Sequence, residues 1–240
     1  MSFKKLLFTL LLAPLLLACP KNPPEDSILV FHKTEDYVHE SIGVGLAMID
    51  YLGSRHDFNV FISEDASQFT SENLKNFEAV VFLNTTGDVL NSEQQKAFEQ
   101  FIQNGGGFVG IHSAADTEYN WPWYGKLVGA YFESHPKQQK ASIHIKDTTH
   151  LSTKHFPVTW EHFEEYYNYK NIDPYIKVLA QLDETTYEGG TNGSFHPFSW
   201  YREFDGGKMF YTGLGHRIDT YSHDFFVEHI LGGIEYVLGR

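Results

Sequence analysis

Phe77-Glu78-Ala79-Val80-Val81-Phe82-Leu83, Asn91-Ser92-Glu93 and Gly105-Gly106-Gly107-Phe108-Val109-Gly110-Ile111-His112 together decide the fold. The first stretch is too uniformly apolar for a half-exposed strand, which predicts a central, parallel strand covered on both faces. The second opens a helix capped at Asn91 or Ser92; it carries Phe98, Phe101 and Ile102 and stops at the three glycines. The third continues into a strand over 108–111. Upstream, 28–32 reads as a buried strand and 58–62 as another. Between them lies a helix over 38–52 with Ile42, Leu46, Ile49 and Leu52 on one face. Strand and helix alternating through short joints predict an α/β fold, doubly wound and flavodoxin-like, with a mainly parallel sheet. In the second half 142–145, 177–180, 198–201 and 208–211 read as strands and 225–238 as a closing helix before Gly239. Strands outnumber helices there, so an antiparallel extension of the sheet is expected. Long loops are expected over 115–140 and 185–198, and loops of that length are usually functional.

A chain of 240 residues, 42% hydrophobic and 20% charged, suits one large domain able to bury its own core. Eighteen basic against 31 acidic residues give a net charge of −13, which repels phosphate backbones, and the largest basic cluster beyond the N-terminus is Lys137 with Lys140. Nucleic acid is therefore not an expected partner. The single cysteine excludes an internal disulfide and a thiolate zinc site. That cysteine, Cys19, follows Lys4-Lys5, an apolar run and Leu16-Leu17-Ala18. The pattern is an export signal too short to span a membrane with flanks, and a cysteine placed there resembles the lipobox of bacterial lipoproteins. The expected organisation is a signal peptide at 1–18, a lipidated Cys19 with a polar tether at 19–26, and a single domain at 27–240. The expected location is the bacterial cell envelope, held to the membrane through the lipid anchor only.

In open α/β sheets, ligands sit beyond the carboxyl ends of the strands. Three strand ends here deliver histidines: His32, His112 and His216. His112 and His216 stand out because small residues surround them. Gly110-Ile111-His112-Ser113-Ala114 reads as a strand-to-helix elbow, and Gly213-Leu214-Gly215 permits a tight approach before His216. Two facing imidazoles can pass protons at neutral pH, or, joined by a carboxylate, hold a divalent metal. Carboxylate candidates are Asp116, just past the elbow, and the acidic-aromatic segment 160–167.

Asn84-Thr85-Thr86-Gly87-Asp88, the GGGFVGIH run ending at His112, Trp123-Tyr124, His135-Pro136 and the closing Phe210-Tyr211-Thr212-Gly213-Leu214-Gly215-His216 resemble the ThuA-like (trehalose utilisation) family. The matching blocks run from about His32 to the C-terminus. The resemblance implies a branch of the class I glutamine amidotransferase-like fold and a link to sugar metabolism. Where that wider fold presents an elbow cysteine, this chain has His112, so amidotransferase and thiol-peptidase chemistry are excluded. Ser113 fits the glycine frame poorly as a nucleophile. In the acidic segment, Glu165-Tyr166 match the family's most characteristic positions, and His39 and His135 fall in motif-like surroundings. The expectation is an enzyme that acts on a keto-sugar or glycoside derivative, with His112, His216 and Glu165 catalytic. His39, Asp116, Trp123, His135, Tyr166 and Trp200 are expected to bind the carbohydrate, the aromatic rings facing its C–H side. No cofactor is required by any motif. A divalent metal on His112 and His216 stays open, giving a metal-dependent hydrolase, as does a non-catalytic sugar-binding module. For the anchor, Cys19→Ala is expected to move the mature domain into the soluble fraction or to stall its processing. Unchanged membrane partitioning of that variant in cell fractionation would remove the lipoprotein assignment.

Overall fold

Runs of Val, Ile and Phe build the centre of the molecule. The computed structural model describes residues 26–240, so the expected signal at 1–18 and Cys19 lie outside the described residues, and Asp26, expected in the tether, opens the first strand. β1 (Asp26–Phe31), β3 (Ala79–Leu83) and β4 (Gly107–Ile111) are almost wholly buried, as strands with helices on both faces must be. β2 (Phe58–Ser63) pairs parallel with β1 at the edge, β1 with β3, β3 with β4, and β4 with β11 (Gly207–Thr212). The parallel order β2-β1-β3-β4-β11 is the flavodoxin-like one. Beyond β11 the sheet turns antiparallel through β10 (Pro197–Phe204), β9 (Lys177–Leu182), β6 (Gln139–Ile145) and β7 (Thr159–Glu164). β5 (Tyr131–Ser134) and β8 (Asn168–Lys170) form a separate two-stranded sheet. The mixed α/β class, parallel core and antiparallel extension are those expected from the sequence.

The helices are α1 (Ile42–Arg55), a single turn α2 (Ser71–Leu74), α3 (Ser92–Gln103), α4 (Pro122–Val128) and α5 (Asp224–Leu238). α3 opens with a capping box: Asn91 Oδ1 accepts the N–H groups of Glu93 and Gln94 at 3.0 Å, and Gln94 Oε1 accepts that of Asn91 at 2.8 Å. Two expectations need correction. The first helix begins at Ile42, not at 38: the preceding segment is held just past the end of β3 by Glu35 N–H donating to Thr86 O at 2.9 Å, and Val38 is 64% exposed. The segment 115–140 is not one long loop, because α4 and β5 lie in it, with Trp121 and Tyr124 packed into the core. No helix among the described residues is long and apolar enough to cross a membrane.

α5 carries a histidine that couples folding to pH. His229 is buried, with Nδ1–H donating to Ser152 O at 2.8 Å, and burial lowers its pKa to about 3. A depressed histidine pKa stabilises the fold above the unfolded value of about 6.5. The contribution is lost as pH falls, because the unfolded chain binds the proton and the native chain does not. Between pH 6.5 and 5 this group alone should remove on the order of 2 kcal/mol from the unfolding free energy measured in urea. His229→Asn keeps a donor for Ser152 but does not titrate. Its unfolding free energy should therefore fall less steeply over the same window, and an equal slope would remove this assignment.

Candidate functional site

β4 and β11 run parallel with Ile111 opposite Thr212, so the residues that follow each strand meet at one rim. His112 takes a left-handed backbone, φ +50°, uncommon for a side chain with a Cβ and a sign of a constrained elbow. Gly110 makes room for it: a Cβ there would lie 3.0 Å from the Tyr211 ring and 3.1 Å from Ala114 Cβ. The chain then enters a short 3-10 turn, His112–Asp116, in place of the expected helix. His112 Nδ1 lies 2.9 Å from Gly213 O. A carbonyl only accepts, so Nδ1 carries the proton and Nε2 faces the rim. Gly215 turns the opposite loop at φ +125°, and its carbonyl accepts from Ser41 Oγ at 2.9 Å and Asn84 Nδ2 at 3.1 Å. That loop presents His216. The β1–α1 connection presents His39, whose Nδ1 is 3.4 Å from Ser113 Oγ.

Glu165 arrives from the antiparallel half, just past β7. Its buried neighbour Glu164 fixes the approach by accepting Arg217 N–H at 3.1 Å and the Thr220 hydroxyl at 2.5 Å, which ties this segment to the His216 loop. Glu165 Oε2 lies 3.1 Å from His216 Nδ1 and 3.4 Å from His112 Nε2; those two nitrogens are 3.3 Å apart. Glu165 Oε1 lies 3.2 Å from His135 Nδ1. His39, His112, Glu165 and His216 each bring a nitrogen or carboxylate oxygen within 4.8 Å of the others. Such a set can share protons or a cation. Burial would raise the Glu165 carboxyl pKa, but hydrogen bonds and charge from His112 and His216 hold it well below the usual carboxylate range. Burial opposes the charge on His216, and contact with Glu165 outweighs it, so the net shift is upward. His39 is driven down to about 2 by burial and by the neighbouring His112 and His216.

Over this cluster opens a cavity of about 440 Å³ lined by Tyr37, Glu40, Gln138, His216, Arg217 and Asp219. Tyr37 is 58% exposed and its ring runs parallel to that of His216, 12° apart at 6.5 Å. Another cavity of similar size, about 460 Å³, lies at the opposite ends of the strands against Leu74, Phe101 and Val237; no histidine lines it.

The structure brings His112, His216 and Glu165 together, adds His39 as a fourth member, and sets His135 beside Glu165 at the exposed end of the cluster. His32 is not a member of the cluster. Asp116 lies next to it, half-buried, accepting from Tyr119 Oη at 2.5 Å; burial raises its pKa. Three of the residues expected to bind carbohydrate are placed elsewhere. Trp200 is wholly buried and donates Nε1–H to Val128 O at 2.8 Å. Tyr166 is wholly buried against Phe198, its hydroxyl given to His162 O at 2.7 Å. Trp123 donates Nε1–H to Asp205 at 2.9 Å, in the turn before β11 and so at the far rim. All three are aromatic rings near motif residues, and core packing claims such rings as readily as a ligand does. Tyr37, Gln138 and Arg217 were not found in the sequence, since nothing in their local pattern marks them as lining a cavity.

Comparison with known proteins agrees with the fold. The solved structure of a ThuA-like protein from Bacteroides uniformis superposes with a TM-score of 0.76 at 23% identity, covering 92% of this chain and 94% of that one. One from Parabacteroides merdae gives 0.70 at 22% identity, covering 91% of each. A Thermoplasma acidophilum protein described as a GMP synthase component gives 0.55 at 11%, covering 90% of this chain and 94% of that chain. At these identities the likeness shows the fold alone. No curated protein sequence matches the chain. The family model for ThuA, trehalose utilisation, matches residues 27–237, so the chain belongs to that family and with it has a carbohydrate-related role.

Proposed function

We propose that this protein is a sugar-processing enzyme whose substrate is an oxidised, keto-bearing sugar or glycoside, and whose chemistry is proton transfer at the Glu165 rim. The observation that carries the reading is the division of one carboxylate between two levels. Oε1 faces His135 at the exposed end of the cluster, while Oε2 faces the less exposed His216 and His112. His135 Nδ1 lies 3.0 Å from Pro136 O, a carbonyl that only accepts, so Nδ1 carries the proton beside Glu165 and Nε2 is left free as a base. The His135 side chain is 44% exposed, so it can meet a substrate. His112 cannot: it is fully buried and its Nε2 faces His216. The proton-transfer role expected of the His112–His216 pair therefore passes to His135, and His216, the clustered imidazole that lines the cavity, serves to polarise the substrate oxygen.

The keto group follows from what the site offers. Hydrolysis of an unactivated glycoside uses two carboxyl groups facing each other across the bond. Among the clustered groups there is one, Glu165. A carbonyl on the sugar acidifies the adjacent C–H, bringing its removal within reach of an imidazole. A cavity of about 440 Å³ accommodates a small saccharide, with Tyr37 as an exposed ring for its C–H face. We place the enzyme at the cell envelope, tethered through Cys19, on the sequence pattern of residues 1–19.

The reading is tested by incubating the protein in D₂O with keto-disaccharides and their parent disaccharides. Deuterium at the carbon next to the carbonyl, seen by NMR, is the expected outcome, with the parent sugars unlabelled. His135→Ala should slow exchange by about 10²-fold or more without disturbing the fold. Saturable binding of the sugar with no exchange and no turnover would make the protein a binding module instead.

A further inference from the structure

We propose that His39, His112, Glu165 and His216 hold one divalent transition-metal ion, Zn²⁺ being the best match to their chemistry and spacing. The inference deepens the reading above, resting on it only for what the ion does to a sugar; the binding itself needs no sugar.

The spacing is the first argument. His112 Nε2, His216 Nδ1 and Glu165 Oε2 form a triangle with edges of 3.1, 3.3 and 3.4 Å. Zinc bound at about 2.0–2.1 Å with tetrahedral angles sets its ligand atoms about 3.3–3.4 Å apart. One cation at the centre of that triangle satisfies three donors at once, and His39 lies within reach as the fourth.

The second argument is the direction of the lone pairs. His112 Nδ1–H is committed to Gly213 O, so Nε2 is the ring nitrogen turned into the cluster and the one through which this imidazole would bind a cation. Glu165 Oε2 brings only lone pairs to the same point. Imidazole nitrogens and a carboxylate oxygen drawn to one buried point need something positive between them, a proton or a cation. The supporting contacts are also those of metal ligands, whose second ring nitrogen is normally held by a carbonyl, carboxylate or hydroxyl. His112 has Gly213 O, His39 has Ser113 Oγ at 3.4 Å, and the free oxygen of Glu165 has His135 at 3.2 Å.

The third argument is selectivity. Three imidazoles and one carboxylate favour zinc and its first-row neighbours over magnesium or calcium, which prefer all-oxygen sites. Zinc sites can expand to five ligands, so a carbonyl oxygen entering past His216 could join the four side chains and be polarised. His135, outside the ligand set, remains the base.

The test is binding, not activity. The protein is stripped with a chelator and titrated with ZnCl₂ by calorimetry, and with Co²⁺ by visible absorption. One equivalent per chain, at a dissociation constant below micromolar, is expected, with a cobalt spectrum lacking any thiolate band. Glu165→Gln, nearly isosteric, and His216→Ala should each weaken binding by about 100-fold or more. His135→Ala, which removes only the outer support of Glu165, should cost about 10-fold. His32→Ala should change nothing. Circular dichroism checks each variant, and the wild-type stoichiometry and spectrum stand even if a variant fails to fold. Absence of saturable Zn²⁺ or Co²⁺ binding, or binding that Glu165→Gln and His216→Ala both retain, overturns the proposal. Metal binding without any deuterium exchange would leave this site standing and defeat the keto-sugar reading alone.

Discussion

The parallel pairing of β4 with β11 is the constraint on which the site depends. These strands are far apart in sequence and buried on both faces, and slipping their register by one residue would turn every side chain of β11 to the wrong layer. With Ile111 fixed opposite Thr212, His112 and Gly213 leave the sheet side by side, and the Nδ1–H bond to the Gly213 carbonyl follows. β11 reaches this position as the second arm of a hairpin with β10, closed at Asp205-Gly206, where both residues have positive φ. A local turn thus delivers a distant strand, and the distant strand delivers His216.

Glu165 makes the two halves of the sheet one functional unit. Consecutive buried carboxylates are costly, and the fold resolves the pair by giving each a different kind of partner. Glu164 is satisfied by neutral donors, the Arg217 N–H and the Thr220 hydroxyl, and so works as a fastener for the loop before α5. Glu165 is left to the imidazoles and is held ionised by them. Displacing one carboxylate would shift the other, which couples the placement of His216 to the charge of the pocket. The antiparallel extension is therefore more than an edge on the sheet, since it carries the acidic partner that the parallel half lacks.

The fold was legible in the sequence wherever burial on both faces forced a run of apolar residues, as in β3 and β4. The strand-end rule then singled out His112 and His216 because backbone position, not side-chain contact, brings them together. Glu165 was legible only through its motif-like setting. What stayed hidden depends on tertiary choice. Tyr166 sits beside Glu165 in sequence, in the short connection between β7 and β8, yet its hydroxyl goes to His162 O in the core while Glu165 faces the histidines. Trp200 and Trp123 satisfy their indole N–H groups at Val128 and Asp205, partners that no local pattern announces. His39 was read as part of a helix start, whereas the segment's attachment to Thr86 keeps it outside α1 and at the cluster.

The elbow itself shows why one backbone can support different chemistries. A constrained residue after a central strand is a suitable place for a nucleophile, because the turn pushes one side chain outward. An imidazole at that position is longer than a thiol and is anchored at one end, since its Nδ1–H belongs to Gly213 O. Its other nitrogen is aimed sideways at Glu165 and His216, under the ring of Tyr167 at 4.3 Å, and solvent does not reach it. The elbow thereby loses the exposure that a nucleophile needs and gains the fixed orientation that a ligand or polarising group needs. Contact with any ligand in the cavity would then come from elsewhere on the rim. His135, on the connection from β5 to β6, is half-exposed and steered by the same carboxylate that steers the buried pair.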